Sequence, residues 1–441
     1  MIAFVLFAFA ILFFGYLSFR KPSSLIAFAF CVFSFEQLLQ SQSSYFVTNG
    51  TIVNLTMLAM CIFALAISIV TGKFTIPKVR TYWLILALLL YAYSTFFWLN
   101  DASGTGYDKW ISNIPYLICV TFVCACFVRD TNHARGALLT TLVFGTGICI
   151  FLTFFTGWSG RGLVLAQSSK ADLASSVLAL ASLGNYAAVI GGLIEIPKFK
   201  PWKILRWLCI ALGLYLSLKS QSRGQVIILI VVIIAFTPVS KGQISLKSVL
   251  IAIIVVIGVA ICLYVLLPYV STTRWSEEKL NSAILGRTNM ASGLWKAYSD
   301  QLPAYWITGL GAGKSFDIVG FYIHNVPLEV LCEEGIIGAV LYCFIIGIPT
   351  ITFLSIVTSK QTNFFSKSLA LQRNTLVIIF ALMITEFALS LKSGSLYGFQ
   401  NFFLLIIMVE ILGREIKQEE KISAYDPSQI YATQYKALYG N

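Results

Sequence analysis

The chain has 441 residues, of which 58% are hydrophobic and only 11% charged, and its formal net charge is +12. A soluble protein of this length could not bury so much apolar surface, and apolar runs of about 20 residues recur along the sequence. The composition therefore excludes a soluble globular protein and indicates a polytopic membrane protein. Because basic residues orient membrane spans from the cytoplasmic loops, the positive charge does not indicate binding to nucleic acid.

The apolar runs are continuous and do not alternate, which favours helices over a β-barrel. We predict an all-α integral membrane protein with about 12–13 transmembrane helices and one large periplasmic loop. The predicted spans cover residues 2–19, 24–39, 51–71, 82–99, 111–128, 137–156, 174–194, 204–218, 224–240, 247–269, 327–358, 374–391 and 398–413. The first span has no basic region ahead of it, so we interpret it as a retained helix and not as a cleaved signal peptide.

The loops between these spans alternate between basic and uncharged polar composition. The positive-inside rule places the basic loops in the cytoplasm, which predicts an N-terminus outside and a C-terminus inside. We expect one transmembrane domain over residues 1–414, with a long outer segment at 268–326, and a flexible polar cytoplasmic tail at 415–441. The ten cysteines lie mostly within apolar runs and suggest neither a disulfide framework nor a zinc site.

Several basic residues occur in loops that this topology places outside. Three arginines there have a glycine neighbour: Arg161, Arg223 and Arg287. Glycine permits close approach of the backbone to a ligand, and guanidinium groups match phosphate oxygens. We therefore predict an outer anion site that suits a lipid diphosphate, with Lys219 in support. The alternative is that these side chains reach toward lipid headgroups or cap helix ends.

His324 occupies the long polar interruption before the span at 327–358. Asn325 and Pro327 favour the start of a helix directly after it, and the positive end of that helix dipole would keep the imidazole neutral. A neutral imidazole is what a general base requires; the alternative is a surface histidine. Continuous helix from His324 to Gly335 would place these residues on one face, with the three nearby glutamates on other faces. Small Gly335 would permit close packing on another helix.

Glu386 is an acidic residue near the outer end of a predicted span. An acid within the membrane is a candidate functional residue, and it is equally suited to be a structural counter-ion for an outer arginine. His133, the second histidine, lies in a basic loop and is interpreted as cytoplasmic surface. No cluster of aspartates suggests a divalent metal, so we predict neither a metal nor a cofactor.

Five short motifs occur in a characteristic order over residues 155–415. They are Gly160-Arg161-Gly162, Gln221-Ser222-Arg223-Gly224, Leu285-Gly286-Arg287 followed by Trp295, Gly309-Leu310-Gly311-Ala312-Gly313, and His324-Asn325 with Leu328-Glu329 and Glu334-Gly335-Ile336-Ile337-Gly338. Their order on a polytopic chain resembles the family of bacterial O-antigen ligases and O-antigen polymerases. The first 150 residues match that family only as a set of spans.

The resemblance implies a fold like that of the C-type glycosyltransferases. It also implies an inverting, metal-independent glycosyltransferase at the outer face of the bacterial inner membrane, with a glycan on undecaprenyl diphosphate as donor. By the same resemblance, the three arginines would bind the diphosphate, His324 would deprotonate the attacking hydroxyl, and Glu386 matches an acidic position in the second-last span of the ligases.

The acceptor would be a second lipid-linked repeat unit in a polymerase or the lipid A-core in a ligase. The short connection between Gly313 and His324, with the Phe- and Tyr-rich composition, favours the polymerase slightly. A chain-length regulator is a further candidate partner. Two other classes remain as alternatives: a transporter or flippase for lipid-linked sugars, and a membrane scaffold. Transporters commonly show inverted repeats, and none is evident here.

Overall fold

The fold is taken from a computed structural model. It describes residues 1–99, 105–159, 162–166, 177–196, 200–220, 222–241, 277–320, 323–358, 367–391 and 394–425. The predicted span at 247–269, Arg161 and the end of the predicted tail lie outside the described residues. The backbone of Arg223 is described, but its side chain is not.

The described residues are almost entirely helical. In chain order the helices are α1 (Ile2–Arg20), α2 (Leu25–Gln42), α3 (Ser44–Thr48), α4 (Thr51–Val70), α5 (Arg80–Leu99), α6 (Thr105–Ile118), α7 (Cys124–Cys126), α8 (Thr131–Phe154), α9 (Val177–Leu193), α10 (Trp202–Lys219), α11 (Arg223–Ser240), α12 (Glu277–Ser299), α13 (Pro303–Thr308), α14 (Lys314–Val319), α15 (Val326–Glu333), α16 (Gly335–Val357), α17 (Lys367–Ser390) and α18 (Gln400–Tyr425). Strands β1 (Trp158–Ser159) and β2 (Gly162–Leu163) pair antiparallel.

Six helical segments of the described chain are long and apolar enough to cross a membrane. They are Ile2–Arg20, Pro22–Gln42, Thr51–Val70, Thr131–Phe154, Gly335–Val357 and Leu369–Ser390. An all-α, multi-pass architecture is therefore confirmed at the level of helix length and composition. The count of 12–13 spans and the orientation stay predictions.

The core lies along the last two helices. α18 packs against α17 and α16, and α17 also packs against α11 and α9. Every residue from Phe402 to Val409 is fully buried, although the segment is uniformly apolar. A helix that is hydrophobic all round belongs inside a bundle. By contrast, α1 exposes many of its apolar side chains, as expected for a helix at the lipid-facing edge.

Two expectations from the sequence are wrong. The helix after His324 does not continue to Gly335, because α15 ends at Glu333 and α16 begins separately at Gly335, whose φ is +67°. The chain after Arg414 is not uniformly a flexible tail, because α18 continues to Tyr425. This extension is stabilised by fully buried Ile416 and by an ion pair of 2.9 Å between Arg373 and Glu420.

Candidate functional site

His324 lies directly before α15 in a backbone conformation that is unusual for its residue type. Its φ is +56°, the one positive φ of a non-glycine residue in the described chain. This left-handed region costs an L-residue roughly 1–2 kcal/mol, and such outliers concentrate at functional sites. The Asn325 side chain accepts a hydrogen bond of 3.1 Å from the Leu328 amide, which confirms the predicted start of the helix. Because Asn325 directly follows His324, the capped start of α15 fixes the backbone from which the imidazole projects.

The electrostatic surroundings favour a neutral imidazole. Partial burial lowers the pKa of His324 below its usual value, and the positive charge of Arg287 lowers it further. Arg287 is exposed on α12, so the structure brings one of the three predicted arginines close enough to act on His324. The direction agrees with the sequence argument, but the causes differ, since burial and Arg287 are responsible where we expected the helix dipole.

The glycine-rich segment before α14 is hydrogen-bonded to the end of α15. The Leu310 amide donates to the Cys332 carbonyl and the Gly311 amide to the Glu333 carbonyl, both at 2.9 Å. A Cβ on Gly335 would collide with the backbone of Ile307 and Gly309. Gly335 thus permits a close approach, as predicted, and its partners are the end of helix α13 at Ile307 and the first residue of the following loop, Gly309.

Glu333 joins the same loop through its side chain. Its carboxylate accepts hydrogen bonds of 2.8 Å from the amides of Gly313 and Ser315 at the start of α14, and one of 3.1 Å from the Tyr397 hydroxyl. A carboxylate at a helix N-terminus satisfies amides that have no partner within the helix. Glu333 therefore attaches both the glycine-rich loop and the segment before α18 to the helix that follows His324.

Glu329 makes a second attachment to the segment before α18. Its Oε1 accepts a hydrogen bond of 2.6 Å from the Ser395 hydroxyl and one of 3.3 Å from the Leu396 amide. Because α15 is anchored at both of these glutamates, its first turn has little freedom to move. His324 is consequently presented by a short helix that two separate segments of the chain, the glycine-rich loop and the segment before α18, hold in place.

Glu334 completes a group of three fully buried carboxyls with Glu329 and Glu333. Neither of its carboxyl oxygens has a hydrogen-bond partner among the described residues. Burial raises the pKa of Glu334 well above its usual value, and the neighbouring carboxyls Glu333 and Glu329 raise it further. Burial likewise raises the pKa of Glu329 and of Glu333.

Glu329 and Glu333 belong to α15, and Glu334 follows its last residue. We call these three side chains together the buried carboxyl group of α15. From the sequence, these residues were expected only to lie away from the helix face of His324. The signal that could have found them is three acids within six residues of a chain that is only 11% charged. In the part of the chain that the structure describes, no group of His, Cys, Asp or Glu is arranged to bind a metal ion.

Glu386 has a tyrosine partner, and its expected pairing with an outer arginine stays a prediction for Arg161 and Arg223, whose side chains are not described. It lies on α17 and accepts a short hydrogen bond of 2.5 Å from the Tyr186 hydroxyl, which in turn accepts one of 3.2 Å from the Asn401 amide. Its partner among the described side chains is thus a tyrosine and not an arginine. The role of Glu386 in the reaction stays a prediction.

The remaining predicted residues are only partly placed. Lys219 is the exposed last residue of α10, and Arg223 begins α11 three residues after Ser220, so both belong to one corner between two helices. The side chains of Arg161 and Arg223 lie outside the described part of the chain. The structure therefore brings the charge of Arg287 to bear on His324 and places the cap Asn325 next to it, while Gly335 lies beyond the other end of α15. The three-arginine site stays a prediction.

No known protein family has a profile that matches this chain, and no curated protein is significantly similar to it.

Proposed function

We propose that this protein is an inverting glycosyltransferase of the bacterial inner membrane that uses a glycan on undecaprenyl diphosphate as donor. The most suitable reaction is polymerisation of O-antigen or a related surface polysaccharide at the periplasmic face. The observation that carries the proposal is His324 before the capped start of α15, a half-buried imidazole whose pKa is lowered by burial and by the positive charge of Arg287.

His324 and Arg287 suit the two parts of one displacement reaction, which are deprotonation of the acceptor hydroxyl and departure of the diphosphate. The acceptor hydroxyl would attack the anomeric carbon, and its proton would pass to a ring nitrogen of His324, a step for which general bases contribute roughly 10²–10⁴-fold. The bond between that carbon and the diphosphate oxygen would break with inversion. Arg287, with Arg161 and Arg223 as predicted partners, would stabilise the diphosphate that leaves.

The anchoring of α15 supports the same proposal. A base is effective only when its position relative to the reacting atoms is fixed in advance. The cap at Asn325 and the attachments of Glu329 and Glu333 supply that rigidity on the side of His324. A surface histidine without a catalytic task would not need a positive φ or such anchoring.

The test begins with deletion of the gene and analysis of the lipopolysaccharide on a gel. We expect core that carries a single repeat unit, because a polymerase is missing. Bare core with accumulating lipid-linked polymer would identify a ligase instead, and an unchanged ladder would refute both activities.

Complementation then assigns the base. His324→Ala should fail to restore the polymer although the protein reaches the membrane in normal amounts. The matched control is His133→Ala. Asp130 caps α8 by accepting a hydrogen bond of 3.0 Å from the His133 backbone amide, which the variant keeps, and the variant loses only the 2.9 Å contact between the His133 ring and the same carboxylate. Wild-type polymer from His324→Ala would exclude the proposed base.

A further inference from the structure

A second polar site lies at the start of α10 and does not depend on the proposed function. A cavity of about 490 Å³ opens there between the end of α9 and the first two turns of α10. Its polar lining consists of Lys200, Lys203 and Arg206, with Glu195 as the one carboxylate among its lining residues. The cavity therefore has an excess of positive charge, and its volume suits a small ligand or a lipid headgroup.

Arg206 is the most buried of the three cations, whereas Lys200 and Lys203 are exposed at the mouth of the cavity. Arg206 lies 3.7 Å from Glu195, and its Nε atom is buried without a hydrogen-bond partner among the described residues. The indole of Trp202 is buried and donates a hydrogen bond of 3.0 Å to the Ile194 carbonyl, which fixes one wall. A buried donor without a partner is costly, and because Arg206 lines the cavity, a rotation of its guanidinium toward a bound anion would satisfy that donor.

The surface beside the cavity distinguishes a lipid from a free anion. On α10, Ile204 is 77% exposed and Trp207, which also lines the cavity, is 67% exposed. Tyr215 and Leu218 continue this exposed apolar surface toward the other end of the helix. An amphiphile could thus place its headgroup among the cations and its acyl chains along α10.

The sequence also indicates which leaflet supplies the ligand. The basic residues near position 200 belong to the loops that the positive-inside rule places in the cytoplasm. Basic pockets between helices on that side recognise anionic headgroups, and tryptophan is common at the level of the headgroups. We propose that this cavity, which we call the α10 cavity, binds an anionic glycerophospholipid of the cytoplasmic leaflet through its phosphate.

Native mass spectrometry of the purified full-length protein tests the proposal. The protein is incubated with equal amounts of phosphatidylglycerol and phosphatidylcholine that carry the same acyl chains, and the retained lipid is counted. We expect preferential retention of phosphatidylglycerol. Lys203→Gln and Arg206→Gln should each reduce that preference about fivefold, the effect of one basic residue near a membrane surface.

Two further variants make the test independent of folding defects. Glu195→Gln removes the competing carboxylate and should increase the preference for phosphatidylglycerol. Lys73→Gln removes an exposed cation from another predicted cytoplasmic loop and should change nothing. Equal retention of both lipids, unchanged retention in Lys203→Gln and Arg206→Gln, or a loss in Glu195→Gln would overturn the proposal.

Inorganic phosphate is the last arm of the experiment. A lipid anchored by its acyl chains should resist millimolar phosphate. Complete displacement of phosphatidylglycerol by phosphate alone would identify a site for a free anion and would also overturn the assignment to a lipid.

Discussion

Buried glutamates of the described chain lie in two regions, and their partners differ. Near the middle of α18, Glu410 accepts hydrogen bonds from the Arg80 and Thr81 amides at 3.0 and 2.8 Å, and its Oε1 lies 2.9 Å from Arg414. Glu415 similarly accepts from the Thr131 amide at 2.7 Å and from its hydroxyl at 2.8 Å. These carboxylates cap α5 and α8.

In the buried carboxyl group of α15, Glu333 caps α14 much as Glu410 caps α5, but no cation accompanies it. In the described chain no cation forms an ion pair with any of its three members, and Glu334 has no hydrogen-bond donor. Burial of a charge without a partner is unfavourable, so such a carboxyl stays protonated or destabilises the fold. The region near Glu410 thus resembles ordinary structural capping, whereas the region behind His324 accepts an energetic cost, as functional sites commonly do.

Gly335→Ala should cause the greatest loss of stability. Alanine at φ +67° costs roughly 1–2 kcal/mol, and its Cβ would also displace the backbone at Ile307 and Gly309. We expect a total loss of about 3 kcal/mol or more, measured as a lower free energy of unfolding in detergent. Gly147→Ala on α8 is the control, because its Cβ would meet open space. A cost as small as that of the control would show that the junction of α15 and α16 adjusts freely.

Replacing a glutamate by glutamine should have opposite effects in the two regions. Glu410→Gln loses charge-assisted hydrogen bonds, which contribute about 1.5–3 kcal/mol, and should destabilise the protein. Glu334→Gln removes a buried ionisable group and loses no hydrogen bond to a described residue, so stability should stay equal or increase. Melting temperatures of the two variants against the wild type make the comparison. A similar loss in both would mean that Glu334 has a stabilising partner.

The pH dependence of the protein's stability should reflect the protonation of the buried carboxyls Glu329 and Glu334. Burial raises the pKa of Glu334 and of Glu329 in the folded state. At a pH above the ordinary pKa of a glutamate, these carboxyls therefore hold protons in the folded protein that they have lost in the unfolded chain. Their contribution to stability is therefore complete below that ordinary value and is lost as the pH rises through the folded-state pKa. The slope is at most about 1.4 kcal/mol per pH unit for each carboxyl. Melting curves from acidic to alkaline pH should show this decline, and Glu334→Gln should reduce it; an unchanged slope would contradict the assignment to Glu334.

The sequence predicted local features of this site better than distant ones. The cap at Asn325 and the start of α15 depend on neighbouring residues, and both were predictable from helix propensities. The roles of Glu329 and Glu333 depend on Ser395 and Tyr397, which lie more than 60 residues away in the chain. The hydrophobic periodicity of a sequence does not indicate hydrogen bonds between residues so far apart in the chain. The end of α15 at Glu333 was missed for a similar reason, since the loop at Gly309 is what requires the turn at Gly335.

Arg287→Gln should cause the smallest shift in a pH profile, apart from the lower kcat/KM expected of its proposed role at the diphosphate, and it addresses the proposed chemistry most directly. Loss of the guanidinium removes a charge that lowers the pKa of His324, so that pKa should rise. The acidic limb of kcat/KM, which reports the free enzyme, should move to higher pH by less than about one unit, because Arg287 is exposed and its field is screened. Raising the salt concentration of the wild type should move the limb in the same direction.

Lys296→Gln on the same helix α12 is the control, since Lys296 is also exposed but is not among the charges that lower the pKa of His324. An acidic limb that stays fixed in Arg287→Gln would mean that burial alone keeps His324 neutral, and Arg287 would then be left only with its proposed role at the diphosphate.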